Sequence, residues 1–302
     1  MTVPGPPRDL VGYGRTPPRV AWPDDARVVV NLVLVYEEGA EYSVLEGDDR
    51  NDGWGEYAVA GAEPPVRDLG TETHYEYGSR AGVWRLARLF EEHDVPVTVS
   101  AAAVALERNP AVAGWMRERG HDLLGHGWRW EEPWTLTRDE ERGRLHRAIE
   151  LYLLVLGERP LGWNSRSFPS VSTRELLIEE GGFVYDSEPC NDDIPYVAHC
   201  ASGAILVVPY SKTTNDVRYL TAPGFASPRH HAELLTMALD EQLREGAKRP
   251  TMMTVVSHAR WSGQPARAAA LRLFLECALE RPDVRFMRRI DIARWWLEHK
   301  LE

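Results

Sequence analysis

The chain has 302 residues, 43% of them hydrophobic and 27% charged, an ordinary globular composition that supplies a sizeable core and excludes disorder as the default. Its formal net charge is −11, and the arginines are scattered, which excludes a basic footprint for nucleic acid or an anionic membrane. Cys190, Cys200 and Cys277 form no Cys-x-x-Cys pair, so neither a disulfide framework nor a structural zinc site is expected, and a reducing compartment is.

The length suits two average domains, but α/β barrels routinely run beyond about 200 residues as one unit. The start, Met1-Thr2-Val3-Pro4-Gly5, lacks the basic and apolar regions of a signal peptide, and there is no long uncharged apolar run; a cytoplasmic location is expected. Residues 1–25 are proline-rich and aperiodic and read as an extended arm, leaving residues 26–302 for the barrel domain.

Val28 to Val35 is β-branched and almost continuously apolar, the pattern of a strand buried on both faces, and it stops at Tyr36-Glu37-Glu38-Gly39. Residues 46–72, rich in Gly, Asp and Glu, read as a long loop of the kind that shapes a site. Val83, Leu86, Ala87 and Phe90 then sit at helical spacing, Val95 to Val104 returns as a strand, and Asp122-Leu123-Leu124 runs into Gly125-His126-Gly127-Trp128-Arg129-Trp130. Thr137-Arg138-Asp139-Glu140 opens a helix with a capping box and an apolar face of Leu145, Ile149, Tyr152, Leu153 and Leu156. Ser172-Thr173-Arg174-Glu175 reads as a second box. Strands recur at 183–185, 205–208 and 252–256, and helices near 229–246, 265–280 and 290–299.

This alternation predicts an α/β fold, a distorted barrel of about seven parallel strands. Catalytic groups of such barrels lie just past the C-terminal strand ends, here Glu37-Glu38, His126, Asn164 to Arg166, Asp186 and Ser257-His258. Any one of them alone reads more readily as a solvated strand end or a structural histidine. Their convergence on one face is the signal.

With these residues and their order the chain resembles the polysaccharide deacetylase (NodB-homology) superfamily. The stretches Arg8 to Arg15, Tyr75 to Arg80, His126 to Trp130, Tyr185-Asp186-Ser187, Thr214-Asn215-Asp216 and Arg289 to Arg294 place it near the metal-independent allantoinases and cyclic imide hydrolases. The resemblance implies that Glu37 is the general base, Glu38 stands at a metal-ligand position, and His258 is the acid, oriented by Asp186. The superfamily's His-x-x-x-His ends here in Trp130, whose indole nitrogen only donates, so Glu38 and His126 are the remnant of a metal site. No tightly bound cofactor is expected, though a weak divalent metal is conceivable.

Glu37, beside Glu38 and near aromatic rings, is expected to have its pKa raised toward neutrality. His126, Trp128, Arg129, Trp130, Arg166, Arg260 and Glu38 are candidates for binding substrate, and Arg129, Arg166 and the indole N–H of Trp128 or Trp130 for meeting its oxyanion, with Arg166 free to pair with Glu37 instead and Trp130 to fill the vacated metal space. His230 and His231 read as surface or capping residues, and Trp295-Trp296 as core. The reading that follows is a hydrolase of non-peptide carbon–nitrogen bonds that opens a small cyclic amide, ureide or imide. The resemblance also implies a homo-oligomer with a small-molecule substrate. A metal-dependent N-acetyl sugar deacetylase and a non-catalytic binding domain are the alternatives.

Overall fold

The structure is a computed structural model that describes residues 5–53, 66–222 and 224–299. Strand β1 (Val28–Tyr36) is buried along all nine residues, as its apolar run requires. It pairs along one edge with β8 (Thr251–His258); its other edge takes β2 (Val97–Ala101) toward the C-terminal end and β9 (Val284–Phe286) at the N-terminal end, all parallel. Beyond β2 the sheet continues in parallel through β3 (Asp122–Gly125), β4 (Gly162–Trp163), β5 (Tyr185–Asp186) and β7 (Gly203–Val207). It ends on β6 (Tyr196–Cys200), antiparallel to β7. The order β6-β7-β5-β4-β3-β2-β1-β8 contains the seven parallel strands of a curled half-barrel, with β9 beside β1 and the antiparallel edge strand β6 added to what the alternation predicted.

Helices surround the sheet: α1 (Leu69–Tyr77), α2 (Val83–Glu92), α3 (Ala103–Arg108), α4 (Pro110–Arg119), α5 (Arg138–Leu156), α6 (Thr173–Glu180), α7 (Pro228–Gly246), α8 (Pro265–Leu279) and, at its N-terminal end, α9 (Arg289–His299). One side of β1, with Val28, Val30, Leu32 and Leu34, packs on Leu86, Phe90, Leu235, Leu239, Leu271 and Phe274 of this layer. The other side faces inward, as a period of two demands. There Val33 and Val35 meet Val256 and Tyr210. Below them Arg289, fully buried, donates to Asn31 Oδ1 and Thr254 Oγ1 at 3.0 Å each and to the carbonyls of Val208 and Pro209. Val20, Trp22, Val29, Met252, Ile290 and Trp296 close the N-terminal end.

Four local expectations change. The strand expected at 95–104 stops at Ala101, because α3 begins at Ala103, whose N–H goes to Gly127 O. Of the loop expected at 46–72, residues 54–65 lie outside the described residues and 69–72 already belong to α1, capped by Asp68. The Thr137–Glu140 capping box forms as read, but Ser172 makes no cap; Glu141 of α5 instead takes the hydroxyls of Ser170 and Thr173. On α5, Ala148 replaces Leu153 on the buried face, and Leu153 is 47% exposed.

Between α1 and α2 the helix widens into one π turn, Gly78–Gly82. A Cβ on Gly78 would meet Glu38 Oε1 at 2.4 Å, and one on Gly82 would meet Ala259 O at 2.1 Å. Two glycines thus let the helix press its backbone against the polar end of the barrel. Among the described residues no helix is long and apolar enough to cross a membrane.

Candidate active site

Glu37 follows the last residue of β1, His126 follows β3, and His258 ends β8, so three C-terminal strand ends deliver one carboxylate and two imidazoles to the same mouth. Nε2 of His126 lies 3.3 Å and Nε2 of His258 3.7 Å from the same Glu37 oxygen, Oε1. The other oxygen, Oε2, is 2.7 Å from Arg260 Nη1. All four are buried: Glu37 is 1% exposed, His126 5%, His258 8% and Arg260 0%.

Each imidazole is oriented from behind. His126 Nδ1 donates to the backbone oxygen of Asn164 at 2.6 Å, which turns Nε2 toward Glu37. His258 Nδ1 meets Asp216 Oδ1 at 2.6 Å, and Asp216 Oδ2 accepts from the backbone N–H of His258 and Ser262 and from the Ser262 hydroxyl. Burial alone would raise Asp216, but the His258 imidazole and these donors hold it below the usual carboxylate range. Asp216 opens a 3₁₀ turn that Asn215 caps and joins to β8 through a bridge to Val256.

The residue expected to orient His258, Asp186, does something else. It accepts from Arg174 Nε at 2.7 Å and from Glu188 N at 2.8 Å. β5, which carries it, lies between β4 and β7, far around the sheet from β8, and α6 supplies its cation. Asp216 was missed because it follows no strand; the Thr214-Asn215-Asp216 triplet was the available signal.

The electrostatics of the acidic pair are also opposite to expectation. Burial pushes Glu37 up, but Arg260 and then the two imidazoles outweigh it and hold the carboxyl down at about 2. It is Glu38 that burial, reinforced by the charge of Glu37, raises to about 7. Its oxygens are taken by two backbone donors, Glu37 N at 2.9 Å and Arg260 N at 3.1 Å.

Of the other candidates, Trp130 lies with its ring 3.7 Å from the Arg166 guanidinium and 5.2 Å from that of Arg260. Arg166 pairs with Asp52 at 2.7 Å and Glu132 at 3.3 Å and donates to Trp130 O, so it does not hold Glu37. Arg129 grips Asp48 with both terminal nitrogens, and the Trp128 ring lies 3.6 Å from the Arg147 guanidinium of α5. Both therefore build the rim rather than meet the cluster. His231, read as a surface or capping residue, is buried and stacks on Phe225.

Residues 73–167 match the family model described as polysaccharide deacetylase. Over 96% of its length the chain is 32% identical to a Schizosaccharomyces pombe protein classed as a polysaccharide deacetylase, of which it covers 96%. The chain belongs to the polysaccharide deacetylase family. Among solved structures, a Pseudomonas aeruginosa PAO1 protein classed as a polysaccharide deacetylase matches with 42% identity and a TM-score of 0.93, over 98% of this chain and 99% of that one. PuuE allantoinase matches with 41% identity and the same TM-score of 0.93, again over 98% and 99%. The protein is thus a hydrolase of carbon–nitrogen bonds on the half-barrel of the polysaccharide deacetylases.

A divalent metal does not fit the donor set of this deacetylase relative. Glu38 spends its oxygens on backbone N–H groups, the Arg260 guanidinium stands 3.7 Å from it, and Trp130 offers no lone pair. Among the described residues, no three His, Cys, Asp or Glu side chains are grouped to hold an ion.

Proposed function

We propose that the protein opens a small cyclic amide, ureide or imide by adding water to a ring carbonyl without a bound metal. The observation that carries this reading is the enclosed cluster itself: a carboxylate held between a guanidinium and two imidazoles, with every member nearly inaccessible. A polymer chain needs its reacting groups on an open groove, whereas a ring of a few atoms suits a closed cavity. The 41% identity with a protein named as an allantoinase points the same way.

In this reading the role expected of Glu37 is divided. A carboxylate held near 2 keeps a proton poorly, so Glu37 serves as a permanently ionised acceptor that orients the attacking water. His258, fixed by Asp216, takes the water proton as the oxygen–carbon bond forms and returns it to the ring nitrogen as the carbon–nitrogen bond breaks. The products are a carboxylic acid and a freed amide or amine nitrogen. His126 supports Glu37 from the opposite side.

The test is turnover on allantoin, hydantoin, succinimide and N-acetyl oligosaccharides, each with and without a chelator. Hydrolysis of one of the rings, unchanged by chelation, is the expected result. Activity confined to the acetylated sugars and abolished by chelation would overturn the reading.

A further inference from the structure

Arg260 is fully buried, and its surroundings do not satisfy it. Among the described residues only Nη1 has a counter-charge, Glu37 at 2.7 Å and more distantly Glu38 at 3.7 Å. Nε and Nη2 have no hydrogen-bond partner among the described residues. Three rings wall the guanidinium in: Trp261 at 4.3 Å, Tyr75 at 4.4 Å and Trp130 at 5.2 Å. Aromatic faces stabilise a cation but accept no in-plane N–H, and each unmet buried donor forfeits the hydrogen bond that water would give it. The indole nitrogens of Trp130 and Trp261 are buried and, among the described residues, unpartnered as well.

An arginine that merely neutralised Glu37 could do so with all its N–H groups paired. Unmet donors concentrated beside a catalytic carboxylate and two residues after His258 are what a site keeps for an oxygen that arrives with substrate.

We propose that Arg260 is a catalytic residue, the built-in cation that receives the carbonyl oxygen of the scissile amide. This rests on the ring-opening reading given above. As water bonds to the carbonyl carbon, the π pair of the C=O moves onto the oxygen. Arg260 neutralises that charge without giving up a proton. When the carbon–nitrogen bond breaks, the pair returns to re-form C=O and His258 protonates the nitrogen. The same guanidinium keeps a metal ion away from Glu37, Glu38 and His126.

The experiment compares wild type, Arg260→Ala and Arg260→Lys by turnover on the ring panel, by turnover of Arg260→Ala with added guanidinium chloride at millimolar concentration, and by Co²⁺ titration followed by absorbance. Arg260→Ala is expected to lose about 10²–10³-fold in kcat, as for removal of an oxyanion donor. Added guanidinium should restore at least tenfold of that loss, and Co²⁺ should bind at least tenfold more tightly than to wild type. Arg260→Lys covers the case in which the alanine variant does not fold; it should lose at least tenfold in kcat with little change in KM, because an ammonium lacks the planar donor fork. A folded Arg260→Ala whose turnover stays within threefold of wild type, or an Arg260→Lys as active as wild type, would overturn the proposal. If wild type opens none of the rings while Arg260→Ala still gains Co²⁺, the ring-opening reading fails and takes the carbonyl-oxygen role with it, and only the exclusion of a metal by Arg260 stands.

Discussion

Asp216 and Asp186 are both buried carboxylates beside a nitrogen donor, and only Asp216 touches an imidazole that faces Glu37. Asp216→Asn should therefore lower kcat by about 10²–10⁴-fold while the fold is retained, the range of a general acid–base group deprived of its orientation. Asp186→Asn should leave kcat within a few-fold and instead lower the urea midpoint, because it strands Arg174. Similar kinetic losses from the two variants would contradict this division. A second residue-scale expectation concerns Glu41, half-buried near the same mouth, which burial raises to about 7 while it accepts from Gly39 N. A raised folded-state pKa means that the folded protein binds this proton more tightly than the unfolded chain. Its contribution is fully present below the ordinary value of 4.5 and is lost as pH rises to about 7. Glu41→Gln keeps the acceptor and cannot ionise, so the fall in urea midpoint between acid and mildly alkaline pH should be smaller than in wild type. Glu37, His126 and His258 were legible in the sequence because each terminates a strand whose apolar run announces it. The depressed pKa of Glu37 was not, since it depends on Arg260 standing closer to Glu37 than to Glu38, a matter of ångströms that no residue pattern encodes.

At the scale of elements, the π turn between α1 and α2 decides where the His258–Arg260 turn sits, because Gly82 has no room for a side chain against Ala259 O. Gly82→Ala must displace backbone, not a flexible side chain, and should lower kcat at least tenfold. Gly114→Ala in α4, where nothing lies within 4 Å of the added carbon, should raise stability by about 0.5–1 kcal/mol and leave kcat unchanged. An active Gly82→Ala enzyme would show that the helix does not position the site. The amphipathic spacing of Val83, Leu86, Ala87 and Phe90 made α2 readable, and the Thr137–Glu140 box did the same for the start of α5. The π turn was not readable, because an i to i+5 bond is imposed by packing against Glu38 and Ala259 rather than by local preference. Strand β7 was read at 205–208, but its antiparallel partner β6 escaped, because it lies at the sheet edge, where the apolar alternation that marks a strand is weak.

For the molecule as a whole, the strand–helix alternation was enough to foresee a parallel barrel, but not how the ring is finished. The ladder runs from β6 around to β8 and then stops. What spans the remaining gap is a set of single contacts: Arg289 to the carbonyls of Val208 and Pro209, Thr254 Oγ1 to Pro209 O, Thr214 Oγ1 to Thr254 O, Val256 N to Thr214 O at 3.0 Å and Met252 N to Asp193 O at 2.8 Å. Arg289→Met removes the largest of these, with four buried hydrogen bonds, and leaves the carbonyls of Val208 and Pro209 with one hydroxyl donor each, so the unfolding free energy should drop by about 3 kcal/mol or more, measured in urea.

A barrel joined along one flank by separate stitches breathes along that flank first. The amides of Val256 and Met252 should exchange with deuterium sooner than those of β1, which have a neighbour on both edges. Asp216 is mounted on this flank, through the Asn215 to Val256 bridge, and its carboxylate holds His258 Nδ1 from behind. Warming the enzyme should thus silence it some degrees before the circular dichroism changes, with turnover returning on cooling, because the imidazole loses its support before the sheet loses its strands.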